Sequence, residues 1–216
     1  MYAFLSVTVY WLVAFLVEFF GNDEAAKMDP VNSRVDKRKA YMTIASQHVL
    51  QVILQIPSDY GLCLTPIMCF SHCATFSFPR VLLSYFGYVI VEYVAHFLDH
   101  YFHNSWLFGQ THRLHHTMIH PWGSVGLLVS WPSAFRGAIF HMLFQIHVLQ
   151  TPWREHAISQ SVVYMMTVLI HSDSFPILSR FHLAHHEKQQ GNYSNMPPYW
   201  LDSLFGTVVS SSVSSK

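Results

Sequence analysis

The residues best suited to chemistry are two copies of the pattern His-x-x-His-His. They lie about seventy residues apart, at 112–116 and at 182–186. In a helix, positions i, i+3 and i+4 share one face with Cβ atoms about 5–6 Å apart, so each copy is predicted to point three imidazoles at one place. Converging imidazoles are a common way to hold a transition-metal ion. The spacing therefore predicts metal binding.

A shorter histidine motif precedes both copies. His96 and His100 stand four residues apart at the end of an apolar segment, a spacing that lets two imidazoles reach one ion. Eleven of the sixteen histidines fall in two windows, 96–120 and 171–186, which random scatter would not produce. A lone HxxxH is weak evidence, because interfacial helices often end in a snorkelling histidine. Three such motifs together indicate a metal site.

The number of motif histidines bears on the number of ions. The eight are His96, His100, His112, His115, His116, His182, His185 and His186. They exceed the four ligands of one structural zinc, so we predict two ions. Neutral imidazole suits zinc, copper, iron and nickel, and affinity alone does not choose among them. Because the ligands are expected around a membrane-facing surface, we predict an open site with an apolar substrate; oxygen activation there would need iron.

Composition predicts the kind of structure that carries these histidines. The chain has 216 residues, of which 51% are hydrophobic and only 11% charged, and its mean hydropathy is positive. It is too apolar for an ordinary soluble domain. We predict an all-α integral membrane protein, with transmembrane hairpins and a cytosolic histidine-rich helical cap. The zero net charge gives no electrostatic case for nucleic acid. Cys63, Cys69 and Cys73 form no CxxC and are interpreted as reduced, packed thiols.

The chain is predicted to divide into three parts. Residues 2–20 are long and apolar enough to span a bilayer, and they lack the flanks of a cleaved signal peptide. The loop that follows is rich in lysine and arginine, so the positive-inside rule places it in the cytosol. We therefore expect a membrane anchor with a basic loop at 1–40, a catalytic domain at 41–207 and a disordered serine-rich tail at 208–216.

Within the catalytic part, alternating apolar and polar segments predict helices and hairpins. Residues 41–57 are expected to form an amphipathic helix in the membrane interface that ends at Pro57. Segments 60–78 and 81–98 are predicted to form a transmembrane hairpin, bent at Pro79. The region 137–171, starting after a break at Arg136, is predicted to form a second hairpin. Because the basic loop is predicted to be cytosolic, a single hairpin that crosses the membrane twice returns His96 and His100 to the cytosolic side.

From about Glu92 to Thr207 the sequence resembles the fatty acid hydroxylase superfamily of integral membrane di-iron enzymes. The signature of that superfamily is HxxxH, HxxHH and HxxHH. The stretches that carry the resemblance are His96-Phe-Leu-Asp-His100, Leu107 to His116, His171-Ser-Asp, His182 to His186, Gly191-Asn-Tyr and Trp200-Leu-Asp-Ser-Leu-Phe-Gly-Thr207. Gly191-Asn-Tyr, together with His48, Gln51 and Pro57, is most similar to the sterol C4-methyl oxidase branch. Phe97, Asp173 and Ser194 depart from the usual family residues.

The resemblance implies a function. The eight motif histidines would hold two iron ions, with zinc as an alternative in isolated protein, and dioxygen would be the co-substrate. The reaction would be hydroxylation of a lipid, most directly a sterol at its C4 methyl group, or a fatty acyl or sphingoid chain. The chain has no haem motif, no GxGxxG and no CxxC, so electrons would come from cytochrome b5 and its reductase. The location implied is the endoplasmic reticulum membrane, with several passes and a cytosolic active site.

The resemblance also implies roles for residues near the motifs. His171 would be a ninth ligand or a partner of one, and Asp99 and Asp173 would orient imidazoles by accepting their second N–H. Asn192 would bind a water or ligate weakly. His103 and His120 are left open as ligands. Four isolated histidines are interpreted as structural, namely His72, His141, His147 and His156, whereas His48 is left open between the two roles.

Two other functions remain open from the sequence. A lipid desaturase on the same fold would share every ligand and differ only in how the substrate sits. The second alternative is not an enzyme: it is a membrane protein that binds metal without catalysis, such as a zinc carrier. A carrier should show polar groups inside several spans, whereas these histidines are predicted at helix ends on one face.

Overall fold

The computed structural model describes residues 3–30, 32–59 and 75–210, and across these residues it is helical without strands. This confirms the all-α prediction. The helices are α1 (Ala3–Phe20), α2 (Glu24–Met28), α3 (Lys37–Asp59), α4 (Phe78–Tyr101), α5 (Gly109–His112), α6 (Trp131–Leu143), α7 (Trp153–Ile170), α8 (Pro176–Lys188) and α9 (Trp200–Phe205). The three cysteines, His72 and most of the first segment of the predicted hairpin lie outside the described residues.

Helix α4 carries the first histidine pair at its C-terminal end. Pro79 occupies its first turn, where a missing N–H costs no hydrogen bond. Among the described residues, α4 is the one helix both long and apolar enough to cross a bilayer. Leu83 and Val94 are about half exposed on its outer side, whereas Tyr88 and His96 are buried. The helix therefore presents an apolar outer face and places its polar groups inside.

The N-terminal apolar segment forms α1, which packs along α7. Tyr10 and Val17 of α1 are buried in one core with Val168 of α7 and Met118. The Tyr10 hydroxyl donates to the carbonyl of Ser124 over 3.0 Å, which satisfies its one polar group. This packing makes α1 part of the wall behind the histidine motifs.

Helix α3 differs from the predicted amphipathic helix in where its faces point. It begins at Lys37 and continues through Pro57 to Asp59, so the proline does not end it. The polar residues Gln47, His48 and Gln51 are buried, whereas Met42 and Val49 are 67% and 59% exposed. An outward apolar face suits contact with lipid, and the polar face instead lines the protein interior.

Helices α6 and α7 occupy the region of the predicted second hairpin, with a π-helical turn at Phe144–Val148 after α6, but both pack against α4 rather than closely against each other. The prediction that Arg136 breaks the chain was wrong, because α6 starts at Trp131 and runs through it. Ser130 caps α6 by accepting from the amide of Ser133, and Pro132 fits its first turn. The guanidinium of Arg136 is buried against Asp99 of α4, which allows a charge in this apolar helix.

Candidate metal centre

The structure brings all nine predicted histidines into two adjacent groups. The five-histidine group consists of His96, His100, His112, His116 and His185. The four-histidine group consists of His115, His171, His182 and His186. Within each group, one ligand nitrogen per imidazole lies within 4.8 Å of all the others. The groups adjoin, since the rings of His116 and His186 are 4.8 Å apart between centroids.

Neither HxxHH copy stays within one group, which corrects the prediction that each copy points its three imidazoles at one place. The outer two histidines of each copy, four residues apart, enter the same group, and the middle one crosses to the other group. In α8 the cause is helical geometry, because neighbours such as His185 and His186 point about 100° apart around the axis. The first copy is not one helix: α5 ends at His112 and a 3₁₀ turn spans His115–Thr117.

Helix ends and one glycine bring the groups together. His171 follows the last residue of α7, at the same end of the bundle as the C-terminus of α4. Its ring packs against the backbone of Gly126, where an added Cβ would lie 2.7 Å from His171 Nδ1. Any larger residue at that position would displace the imidazole, so this glycine is required by close approach. The sequence motifs give no hint of it.

Backbone carbonyls orient four of the imidazoles. The Nδ1–H groups donate to the carbonyl of Tyr193 from His96 (3.0 Å), of Thr167 from His171 (2.6 Å), of Gly191 from His185 (2.6 Å) and of Met118 from His186 (3.0 Å). A neutral imidazole that donates at Nδ1 carries a lone pair at Nε2. These contacts therefore fix the tautomer that ligates through Nε2, as outer partners of metal ligands do.

The inward nitrogens are spaced as ligands of a shared ion would be. His171 Nε2 lies 2.8 Å from His182 Nε2, and His100 Nε2 lies 3.1 Å from His116 Nε2. Two nitrogens bound to one ion at about 2.0–2.1 Å would stand ~3.0–3.4 Å apart. A single pair at such a distance could share a hydrogen bond, but the convergence of four or five such nitrogens in each group fits a bound metal ion. The donor set fits iron, zinc or another ion that prefers imidazole.

A carboxylate orients one further ligand. Asp99 Oδ2 lies 3.5 Å from His112 Nδ1, as the sequence predicted for an aspartate within HxxxH. Arg136 Nη2 lies 2.6 Å from the same carboxylate and holds it in place. The arginine was missed, because its position in an apolar stretch looked like a helix break. The role predicted for Asp173 stays a prediction.

The segment after the last motif, residues 191–209, is held together by its own hydrogen bonds, and we call it the C-terminal clip. Asp202 accepts hydrogen bonds from the amides of Tyr193 and Ser194 at 2.7 and 2.9 Å, so it holds the loop whose carbonyls orient His96 and His185. Asn192 has a left-handed backbone, and its side chain bonds only to backbone groups of Phe181 and Val209 in the part of the chain that the structure describes. These contacts give Asn192 a part in holding the backbone, and its predicted role at a bound water or as a weak ligand stays a prediction.

Burial keeps the histidines neutral. Desolvation lowers the pKa of His115 to about 4. It also lowers the pKa of His182, His185 and His186 well below the usual value, with further lowering from neighbouring imidazoles. Neutral imidazole is the form that binds metal, so the site is in its ligating state at neutral pH.

A family model for fatty acid hydroxylases matches residues 81–207, more than half of the chain and all nine histidines. The chain belongs to the fatty acid hydroxylase family. Membership confirms the superfamily prediction and implies a membrane-associated oxidoreductase, a lipid hydroxylase or oxygenase with a metal site. Searches of curated proteins and of solved structures find no match to the chain.

The other histidines that the structure describes lie outside both groups. His103 and His120 belong to neither. His141 Nε2 lies 2.7 Å from Glu92, and the His156 ring lies 3.3 Å from the hydroxyl of Tyr88. These contacts agree with the structural roles predicted for the last two. His48 is also outside the groups, so it is not placed as a ligand.

A cavity of about 220 Å³ adjoins the two histidine groups. His96, His112, His115 and His171 line it at the metal centre. Most of the surface of its walls is apolar, and polar side chains of α3, α4, α6 and α7 also reach it. A cavity whose surface is mostly apolar, with polar groups at particular places, has the character of a ligand site.

Proposed function

We propose that this chain is a membrane-bound di-iron oxygenase that hydroxylates a lipid with dioxygen and external electrons. The observation that carries the proposal is the pair of adjacent imidazole groups at one end of a largely apolar cavity. The five-histidine group would hold one ion and the four-histidine group the other. Iron, when bound, supplies the dioxygen activation that attack on an unactivated C–H bond needs.

The residues of the chain would prepare the site for that reaction. The backbone carbonyls and Asp99 hold the imidazoles in the ligating tautomer before any substrate arrives. The apolar walls of the cavity would bind the lipid chain and exclude water from the reacting carbon. The site is therefore preorganised for an apolar substrate.

The membrane setting and the electron donors are part of the proposal. The long apolar α4 and the apolar outer face of α3 support an integral protein of the endoplasmic reticulum with several passes and a cytosolic active site. No haem motif, GxGxxG or CxxC occurs in the sequence, which supports cytochrome b5 and its reductase as donors. The catalytic domain would extend over 41–207, with the anchor and basic loop at 1–40 and the tail at 208–216.

Two substrate classes are proposed, a sterol oxidised at a C4 methyl group and a fatty acyl or sphingoid chain. The motif Gly191-Asn-Tyr supports the sterol branch, and it supplies the carbonyls that orient His185 and His96. The apolar cavity supports either class.

Lipid and sterol profiling of cells tests the proposal. We compare cells expressing the wild type with cells expressing a His115→Ala, His185→Ala double variant, which removes one ligand from each group. His147→Ala, at an exposed position outside both groups, is the matched control. We expect hydroxylated lipids with the wild type and the control but not with the double variant.

Other outcomes of the same experiment favour other functions. A new double bond in place of a hydroxyl would indicate a desaturase. Bound metal with no change in any hydroxylated, desaturated or demethylated lipid would overturn the oxygenase proposal and favour a non-catalytic metal protein.

A further inference from the structure

Two polar side chains of α3 are buried in the cavity without complete hydrogen bonding. His48 is 4% exposed and Gln51 is 8% exposed. Among the described residues, neither ring nitrogen of His48 has a hydrogen-bond partner, and neither does Nε2 of Gln51. Both side chains line the cavity that reaches the histidine groups. Buried polar groups are nearly always satisfied, so three open positions on one wall point to an absent partner.

The separation of the pair from the metal centre follows approximately from helix α7. The His48 ring packs against Tyr164 of α7, with 5.3 Å between centroids, and the Tyr164 hydroxyl donates to Gln51 Oε1. Tyr164 and His171 are seven residues apart, which is two turns on the same face of a helix, or about 10 Å along its axis. Thr167, between them, also lines the cavity. One wall of the cavity thus connects the α3 pair to the histidine groups.

The open positions define the chemistry of the missing partner. Burial lowers the pKa of His48 to about 4, so its ring is neutral, with one N–H donor and one acceptor nitrogen. The amide of Gln51 has both N–H donors open, because its oxygen already accepts from Tyr164. A hydroxyl group complements two of the three open atoms, since it can donate to the bare imidazole nitrogen and accept from the amide.

Metal binding does not account for the open hydrogen-bonding positions of His48 and Gln51. His48 lies in neither histidine group. The rings of Tyr10 and Trp11, at 5.0 and 5.9 Å, pack edge-on to His48 and hold it in place without bonding its nitrogens. A rigid imidazole facing an apolar cavity is suited to recognising one polar group on an otherwise apolar molecule.

We propose that His48 and Gln51 bind a hydroxyl group of the lipid substrate about 10 Å from the histidine centre. They would select lipids whose hydroxyl is remote from the carbon that is oxidised. This inference rests on the proposed function and sharpens its substrate class. A sterol that is oxidised at the methyl group next to its hydroxyl could not place the hydroxyl at His48 and Gln51 while that methyl group lies at the histidine centre. A lipid that is oxidised far from its hydroxyl could do so.

Binding of two matched probes to the purified, iron-loaded full chain in detergent micelles tests the proposal. The probes are 1-octadecanol and octadecane, which differ by one hydroxyl group. We expect the wild type to bind the alcohol about tenfold more tightly, the factor that one net hydrogen bond can supply. His48→Phe should abolish that preference and leave octadecane binding unchanged. Gln51→Met should reduce the preference.

Controls separate recognition from folding and from catalysis. His147→Phe, outside the cavity, should keep the full preference, and unchanged iron content in each variant shows an intact centre. If His48→Phe does not fold, Gln51→Met decides the test. Equal binding of both probes by the wild type, no binding of either, or a preference that survives in the variants would overturn the proposal. Binding needs no turnover, so an intact preference without lipid oxidation in cells would refute the oxygenase alone.

Discussion

The two histidine groups differ in number and in burial. The five-histidine group includes both of the half-buried imidazoles, His100 and His116, whereas all four members of the other group are buried. Removing one of five imidazoles leaves four, a complete set for a tetrahedral ion, but removing one of four leaves three. The groups are therefore expected to respond unequally to the loss of a ligand, although the same two HxxHH copies supply both.

The groups also differ in what orients them. The five-histidine group depends on Asp99 and on carbonyls of the loop that Asp202 holds. The four-histidine group uses the carbonyl of Thr167, one helical turn before His171, and that of Met118, close to the first HxxHH copy. Support for the first group therefore comes from the C-terminal clip, whereas support for the second comes from the bundle itself.

The largest expected effect is from removing two ligands of the four-histidine group. His182→Ala with His186→Ala leaves only two imidazoles there, too few to hold an ion against water. We expect oxidation of lipid in cells to fall to the background level. His103→Ala, an exposed histidine outside both groups, is the control and should retain activity. Substantial product from the double variant would mean that the four-histidine group is dispensable.

The next largest effect is expected from the carboxylate that orients His112. Asp99→Asn keeps the shape but removes the charge that faces His112 and Arg136. Changes to outer partners of metal ligands typically cost about 10–100-fold in metal affinity or activity. Iron titration of the purified chain measures this loss, which should be confined to one of two binding steps. A loss shared equally by both steps would contradict the assignment of Asp99 to one group.

A smaller effect is expected from the C-terminal clip. Asp202→Asn weakens the hydrogen bonds from the amides of Tyr193 and Ser194, and so loosens the loop that orients His96 and His185. We expect iron affinity to fall by about tenfold in the five-histidine group, the lower end for outer partners. Affinity in the other group should not change, and an equal change there would show that the clip serves the whole bundle.

The smallest effect is expected from removing one half-buried imidazole. His100→Ala leaves four histidines in its group, which is a complete set for a tetrahedral ion. We expect the variant to keep both ions and most of its activity in the profiling assay. His171→Ala is the matched comparison, because it leaves three ligands in the other group. Equal losses in the two variants would contradict the inequality of the groups.

Spacing along the chain predicted that eight of these histidines meet, whereas His171 followed only from the family resemblance. All nine lie where the motifs expect them, at helix ends and in α8. How they divide was not predictable from spacing, since His115 and His116 are neighbours in the chain but belong to different groups. That division depends on the 3₁₀ turn after α5 and on the rotation between neighbours in α8.

Residues outside the motifs were harder to predict. Arg136 looked like a break because its partner, Asp99, is distant in the sequence and only the fold brings the two charges together. The family resemblance implied a role for Asn192 at a bound water or as a weak ligand, and it did not predict the hydrogen bonds of Asn192 to the backbone of Phe181 and Val209. The polar face of α3 was expected at the membrane interface. Its burial depends on the cavity, which no local pattern reveals.

The iron content of three purified full-length proteins tests whether each of the two histidine groups holds its own ion. The proteins are the wild type, a His100→Ala, His112→Ala, His116→Ala triple variant, and His182→Ala with His186→Ala, so that each variant leaves two imidazoles in one group and does not change the other. We predict about two ions per chain in the wild type and about one in each variant, as two imidazole groups require. Fewer than two ions in the wild type, or loss of both ions in either variant, would contradict the account.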